Sequence, residues 1–546
     1  MATARCWSFE PTPAARDATA LRLPDLTAVG RLLPWALDRA RPDGMLAAIT
    51  EAGRARQVDA VFSIDATQQA DLPSLVTHWL NAALVLKPGG RLLMSLADPT
   101  TASGFQKILR DIRRTHRFQG RPCDKFAYTS AEIVRSVLGR LGFVVEVLEP
   151  WSNHEGRPPR DLYLSALLFD PNRAEVFRDA LRPSGTALVE PALSYAEWWD
   201  AHAPRAIVGQ PDRPPARAAL ERLMVPAEVG TWRRAIEIGI GDARFTAAVL
   251  RANPAVKLTV FDASDRVMQA AAAKLPEAVA SGRLGFLPID PLHPDGILTA
   301  FEREHLGREV DAVFSLDALQ HVDLQYLLAY WLNTALVLRP GGWLVFSVAD
   351  ATTEAGFARL LADLPRGFAN PGQVSDRLEY LSFGLVRPLL ERLGFQVTYA
   401  GHWNPQDGGP TGRDLYVVAQ MERPEAAEAL RGHLSTGLAA PRFTAMEEDD
   451  PEDTPAARAR PDPLEPLAED STELALALGQ ALWRQVQLHG LPGDNAIRPQ
   501  GRDGWAENRR HYQRIGQLVL RDLAEMGITL HKAASRPGQD SPPDSD

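Results

Sequence analysis

The chain repeats itself over a long distance, and any fold has to accommodate that. Val58-Asp-Ala-Val-Phe-Ser-Ile-Asp-Ala-Thr-Gln-Gln-Ala-Asp-Leu72 matches Val310-Asp-Ala-Val-Phe-Ser-Leu-Asp-Ala-Leu-Gln-His-Val-Asp-Leu324, a spacing of 252 from position 58 to position 310. The same spacing carries Leu23-Pro24 onto Leu275-Pro276 and Pro42-Asp-Gly44 onto Pro294-Asp-Gly296. It also carries Trp79 onto Trp331, Lys87-Pro-Gly-Gly90 onto Arg339-Pro-Gly-Gly342, and Tyr128 onto Tyr380. After one insertion, Arg160-Asp-Leu-Tyr163 matches Arg413-Asp-Leu-Tyr416. A register held this far is a duplication. With 546 residues, several domains are expected rather than one large core: an incomplete unit over 1–186, a complete one over 187–437, an acidic Pro-rich linker over 438–470, a small helical module over 471–532 and a disordered tail over 533–546.

The copies differ at the front. The second has Ala235-Ile-Glu-Ile-Gly-Ile-Gly-Asp-Ala-Arg-Phe-Thr-Ala-Ala-Val-Leu250 ahead of the shared part. Apolar Ala235, Ile236 and Ile238 suit a strand buried on both faces. Gly239 and Gly241 let the backbone turn sharply and let a ligand lie against it. Phe245, Ala248 and Val249 then recur at helical spacing. A second apolar run, Leu258-Thr-Val-Phe261, ends in Asp262, placed to accept hydrogen bonds from a ribose diol. The first copy has only residues 1–22 before Leu23. It is therefore expected to lack both the glycine turn and the acid after strand two. Its strand Val58–Ser63 would be an exposed edge unless residues 1–20 or the other copy cover it.

Downstream in the second copy, Val310–Ser315 reads as a buried strand and Leu324–Leu338 as a helix with Leu327, Leu328, Trp331, Leu332 and Leu336 on one stripe. Pro340-Gly-Gly342 is expected to end that helix, with the next strand at Trp343–Val348. A helix at Leu385–Leu393 and strands at Phe395–Tyr399 and Leu415–Gln420 follow. The last two are joined by a loop containing Asp407-Gly-Gly-Pro410, short enough for a hairpin. This alternation predicts an α/β fold: a doubly wound, mostly parallel sheet ending in an antiparallel pair, duplicated with the first copy incomplete, plus a C-terminal α-helical module.

A net charge of −10 speaks against a nucleic-acid footprint. Two cysteines, Cys6 and Cys123, speak against a disulfide scaffold or a cysteine zinc site and fit a reducing cytoplasm. No apolar run approaches the roughly 18 residues of a membrane span, and the first residues carry no signal-peptide core. The abundance of Ala, Arg and Pro points to a GC-rich bacterial genome.

The second copy resembles a class I S-adenosylmethionine-dependent methyltransferase over roughly residues 195–425. The resemblance is carried by Glu237-Ile-Gly-Ile-Gly241, Asp262, Leu287-Pro-Ile-Asp290, Asp311-Ala-Val-Phe-Ser-Leu-Asp-Ala-Leu-Gln-His321, Leu336-Val-Leu-Arg-Pro-Gly-Gly-Trp-Leu-Val345 and the terminal hairpin. It departs from the fuller family pattern where Asp242 and Ala243 stand in place of a third glycine. The resemblance implies a Rossmann-like fold with S-adenosyl-L-methionine as cofactor and no metal. By the same resemblance Gly239 and Gly241 would border the cofactor's methionine and ribose, and Glu237 would reach its amino-acid end. Asp262 would bind the ribose hydroxyls and Asp290 would sit at the adenine edge. Ser315, Leu316 and Asp317 would lie beside the methyl group.

His321 and Asp317 are the candidate general bases; each also has a structural reading, as a packed helix-start residue and a helix cap. His402 and Trp403 are candidates to line a substrate pocket. Trp151 occupies the position of Trp403 in the first copy, which favours a structural tryptophan. Tyr195 and Trp199, with Trp198, are either a lid over the site or aromatics capping the core. The expected partners are a small-molecule or glycan substrate, the two copies packed on one another or a homo-oligomer, and a protein or small ligand for the C-terminal module. That module, through Trp505-Ala-Glu-Asn-Arg-Arg510 and Ile515–Ile528, resembles a ryanodine-receptor-type helical domain. Three functions compete: a methyltransferase, a cofactor-binding scaffold that transfers nothing, and an NAD-linked oxidoreductase, against which the Pro-Gly-Gly turn and terminal hairpin argue.

Overall fold

The computed structural model describes residues 6–10, 12–38, 41–118, 126–151, 158–182, 197, 200, 214–290, 293–303, 308–369, 378–403 and 412–434. Cys123, Tyr195, Trp198, Trp199, the side chain of Trp151, and the expected linker, helical module and tail lie outside the described residues.

The larger sheet is built from the second copy. Its strands are β7 (Arg234–Ile238), β8 (Lys257–Asp262), β9 (Leu284–Pro288), β10 (Val310–Ser315), β11 (Leu338–Asp350), β12 (Tyr380–Leu381), β13 (Phe395–His402) and β14 (Asp414–Met421). They lie in the order β13-β14-β11-β10-β7-β8-β9, with β12 beside the end of β11. Strands β7 to β11 pair in parallel, and β14 runs antiparallel to both β11 and β13. This is the doubly wound sheet with a terminal hairpin that the sequence predicts. All of β10 is buried, as the near-continuous apolar run of a central parallel strand requires. The helix ends at Val337, ahead of Pro340-Gly-Gly342, but the next strand starts earlier than the expected Trp343. β11 begins at Leu338 and passes through these residues, and its register with β10 slips between Val310↔Leu338 and Ala312↔Trp343. A bulge absorbs the extra residues.

The first copy forms β1 (Cys6–Glu10), β2 (Leu32–Ala36), β3 (Val58–Ser63), β4 (Leu86–Ala97), β5 (Phe143–Trp151) and β6 (Asp161–Leu168). Strands β3-β4-β6-β5 form one sheet and β1-β2 a separate parallel pair. Two expectations are corrected here. First, the acid after strand two is present. Glu10 ends β1 at the 252-residue spacing from Asp262 and is buried, accepting a hydrogen bond from Thr19 Oγ1 at 3.0 Å. Among the described residues the first copy shows no counterpart of β7 and its glycine turn. Second, residues 6–10 do not cover β3; they pair with β2. Among the described residues β3 pairs only with β4, and its Phe62 is exposed where the corresponding Phe314 is buried.

The helices that matter for the site are α1 (Pro13–Arg22), α2 (Leu72–Val85), α3 (Ala102–Phe118), α4 (Ala131–Arg140), α5 (Arg244–Ala252), α6 (Asp265–Lys274), α7 (Leu324–Val337), α8 (Glu354–Ala369) and α9 (Phe383–Arg392). The copies exchange one helix each. Phe105, Ile108, Leu109 and Ile112 of α3 belong to the core that contains Leu327, Trp331, Leu385 and Val417 of the second copy. Phe357, Leu360 and Leu364 of α8 belong to the core that contains Leu75, Trp79 and Ile133 of the first. The contacts across this junction come in equivalent pairs. Arg140 Nη2 donates to the Thr352 carbonyl at 3.0 Å, and Arg392 Nη2 to that of Thr100 at 2.9 Å. Arg140 lies over the Phe357 ring at 5.2 Å, and Arg392 over Phe105 at 5.0 Å. Ser130 Oγ meets Ser382 Oγ at 2.9 Å, so a local two-fold axis passes between these equivalent hydroxyls.

Candidate cofactor and acceptor site

The site gathers at the carboxyl ends of β7, β8 and β10, where open parallel sheets bind ligands. The chain leaves β7 through Gly239 at φ 77° and Gly241 at φ 49°. At Gly239 a Cβ would lie 2.4 Å from the Cβ of Ala318, while at Gly241 it would meet nothing within 4 Å. One glycine is therefore needed for packing, and the other faces open space. Ala243, where the fuller pattern has a glycine, takes the left-handed conformation at φ 63° and caps α5.

Glu237 is buried on β7 and accepts a hydrogen bond from Thr246 Oγ1 of α5 at 2.5 Å. Burial raises its carboxyl well above the usual range; the bond from Thr246 opposes this, and Asp262 and Asp242 add to it. Asp262, 7% exposed, accepts from the Ile240 amide at 2.9 Å and the Ser264 amide at 2.9 Å. Burial raises its pKa, and the amides of Ser264, Ile240 and Ala263 pull it back. A carboxylate offers about four lone-pair sites, so capacity remains for a further donor. Ser264, the cap of α6, donates to Asp200 Oδ1 at 2.6 Å. Asp200 thereby ties the end of the Tyr195–Asp200 stretch to the residues beside Asp262. Asp290 lies half-exposed beyond β9, 3.5 Å from His293 Nε2.

At the end of β10, Ser315 Oγ donates to the Ile238 carbonyl at 2.6 Å, so this hydroxyl holds β10 to β7. Leu316 is buried. Asp317 has a left-handed backbone at φ 59°. Its amide donates to Ser347 Oγ at 2.9 Å and its carboxylate meets Arg244 Nη2 at 2.5 Å. Burial raises the Asp317 pKa, opposed by Arg244 and Arg413 and reinforced by Asp414. His321 ends a short 3₁₀ turn, Leu319–His321, and is half-buried.

At the other side, His402 Nε2 meets Asp350 Oδ2 at 2.8 Å. Trp403 is fully buried and stacks on Tyr416, centroids 3.9 Å apart and 11° from parallel. Among the residues expected to line a pocket, His402 is thus engaged by a carboxylate and Trp403 is packed. Sequence reasoning overlooked Arg244, Thr246 and Tyr416. Arg244 and Thr246 lie inside the glycine stretch, and Tyr416 ends the repeated Arg-Asp-Leu-Tyr motif, but their partners are distant in sequence.

Residues 236–344 match the family model described as a methyltransferase domain. The match lies within the second copy. The chain also has partial likenesses among solved structures. One is the magnesium protoporphyrin IX methyltransferase of Synechocystis PCC 6803: 16% identity, 42% of this chain and 98% of that one covered, TM-score 0.31. Another is the putative methyltransferase complexed with the Trm112 activator of Haloferax volcanii: 19% identity, 42% and 98% covered, TM-score 0.31. A third is an O-methyltransferase family protein of Burkholderia thailandensis: 20% identity, 46% and 71% covered, TM-score 0.32. Comparison with curated proteins gives no match.

Proposed function

We propose that the chain transfers a methyl group from S-adenosylmethionine to a small-molecule or glycan nucleophile, with residues 187–437 carrying the reaction. The observation that carries this reading is the open space before Gly241, flanked by the buried carboxyls of Glu237 and Asp262. A nucleoside bearing an amino-acid tail fits that donor set. Asp262 holds the ribose hydroxyls, Asp290 the adenine edge and Glu237 the amino end, while the N-terminus of α5 faces the carboxylate. Ser315 and Leu316 fix the floor at the end of β10. When bound, S-adenosylmethionine supplies a methyl group on a sulfonium leaving group. The protein's task is then alignment, and well-oriented reactants gain roughly 7–11 kcal/mol. Arg244 fixes Asp317 at the rim, and His321 takes the proton from an acceptor that has one to lose. Residues 1–186 support the second copy; among the described residues they show no counterpart of β7 and its glycine turn. The working compartment is the cytoplasm; among the described residues no helix is long and apolar enough to cross a membrane.

Calorimetry tests the reading directly. S-adenosylhomocysteine should bind with one site per chain and NAD should not; binding of NAD alone would overturn the proposal. Asp262→Ala should weaken S-adenosylhomocysteine binding by about 1–3 kcal/mol. Unchanged affinity would remove the ribose contact from the scheme.

A further inference from the structure

Three buried polar groups have no hydrogen-bond partner among the described residues: Trp403 Nε1 and Tyr416 OH, whose rings stack, and Nε of Arg244, whose guanidinium holds Asp317. Trp403 and Tyr416 are 1% and 2% exposed. A buried polar group left unpaired needs an explanation, and here three of them share one neighbourhood. Tyr416 stands opposite Ser347 in the β14–β11 register. Ser347 Oγ accepts the Asp317 amide, and Asp317 is held by Arg244. The path from the glycine turn to the Trp403–Tyr416 stack is therefore continuous. The side chains of the Asp317–Arg244 pair beside it are each about a fifth exposed.

We infer that these three donors form a subsite that binds a carboxylate carried by the methyl acceptor. This rests on the transferase reading above and names the acceptor's class. All three groups can donate, and two of them, the indole N–H and the guanidinium N–H, can do nothing else. The fixed charges balance: Arg244 and Arg413 face Asp317 and Asp414, and all four act on the Tyr416 hydroxyl. With the charges balanced, the unpartnered donors set the preference. Burial and the two carboxylates also push the Tyr416 pKa up, so the hydroxyl keeps its proton. A carboxylate brings about four lone-pair sites on two oxygens, and bonds to an ionised acceptor are the strong ones.

The cofactor's own carboxylate is the other source of the same chemistry. The strand order favours the acceptor. β14 lies beyond β11 on the side of β10 away from β7, roughly 10 Å from β10 at ordinary strand spacing. The glycine turn and Arg244, the first residue of α5, lie on the β7 side, so Trp403 and Tyr416 carry the distinction between the two carboxylates. The first copy sharpens the contrast. It repeats Arg160-Asp-Leu-Tyr163 and has Asp65 at the place of Asp317. There Asp65 is held by Gln68 Nε2 at 3.1 Å, where Asp317 is held by the Arg244 guanidinium.

The test uses the full-length chain with benzoate as probe and benzamide as its uncharged counterpart, each titrated with and without S-adenosylhomocysteine. Benzoate should bind at least tenfold more tightly than benzamide. Tyr416→Phe and Trp403→Phe keep the aromatic stack and remove one donor each, and each should weaken benzoate fivefold or more. S-adenosylhomocysteine affinity should stay within twofold in both variants, and melting temperature reports their folding. Equal binding of the two probes, no benzoate binding, or wild-type benzoate affinity in both variants would overturn the inference. So would a loss confined to S-adenosylhomocysteine, which would assign the donors to the cofactor. Failure of the wild-type chain to bind S-adenosylhomocysteine at all would instead strike the transferase reading, while the benzoate arm without it still decides the subsite.

Discussion

Glu237 is the residue whose chemistry is most constrained by its surroundings. Burial holds its pKa above the 4.5 of an ordinary glutamate, so the folded chain keeps a proton that the unfolded chain has already released. Stability contributed by this group is therefore fully present below about pH 4.5 and falls as pH rises toward the folded-state pKa. Glu237→Gln should flatten that fall, because the amide oxygen still accepts from Thr246 and no charge forms. Urea denaturation across pH 4.5–8 would read the change in slope; parallel curves for the two proteins would contradict it. The same reasoning applies to the Tyr416 hydroxyl. Leaving a buried hydroxyl unpaired costs about 1–3 kcal/mol, so Tyr416→Phe should leave the ligand-free protein at least as stable as wild type. A clear drop in melting temperature would mean the hydroxyl is bonded.

The β7–turn–α5 element makes a sharper distinction than any single side chain. Gly239 and Gly241 both have positive φ, but only Gly239 faces another side chain. Gly239→Ala combines backbone strain of about 1–2 kcal/mol with a clash against Ala318 and should destabilise the domain strongly. Gly241→Ala carries the strain alone. It should fold, with a modest loss of stability and a larger proportional loss of S-adenosylhomocysteine affinity, read by thermal shift and calorimetry together. This element was legible in the sequence because a short apolar strand, two glycines and a helical stripe follow one another without interruption. Other parts were not. β11 starts at Leu338 rather than Trp343 because a bulge carries the strand through the Pro340-Gly-Gly342 that follows the helix. β1 was hidden because Cys-Trp-Ser-Phe-Glu is short and ends in an acid that only the 252-residue register identifies. The Arg244–Asp317 pair joins residues 73 apart, a distance over which no local pattern reports contact.

At the scale of the molecule, each half lends a helix to the other's core. Leu360, in the second half, is fully buried among residues of the first. Leu360→Ala should cost about 2–5 kcal/mol and should loosen α2, whose Leu75 and Trp79 share that cluster. Hydrogen exchange gives the decisive readout: amides of α2 should lose protection while those of β8 and β9 keep theirs. Loss confined to the second half would mean that the helix exchange contributes little. The exchange also sets a timetable for synthesis. The amino-terminal half leaves the ribosome first, yet Phe357, Leu360 and Leu364, which close its core, follow roughly 180 residues after its last helical turn at Arg178–Leu181. At about 5–20 residues per second, that half waits on the order of ten to forty seconds with apolar surface uncovered. Chaperones that shield nascent chains would find their longest engagement there.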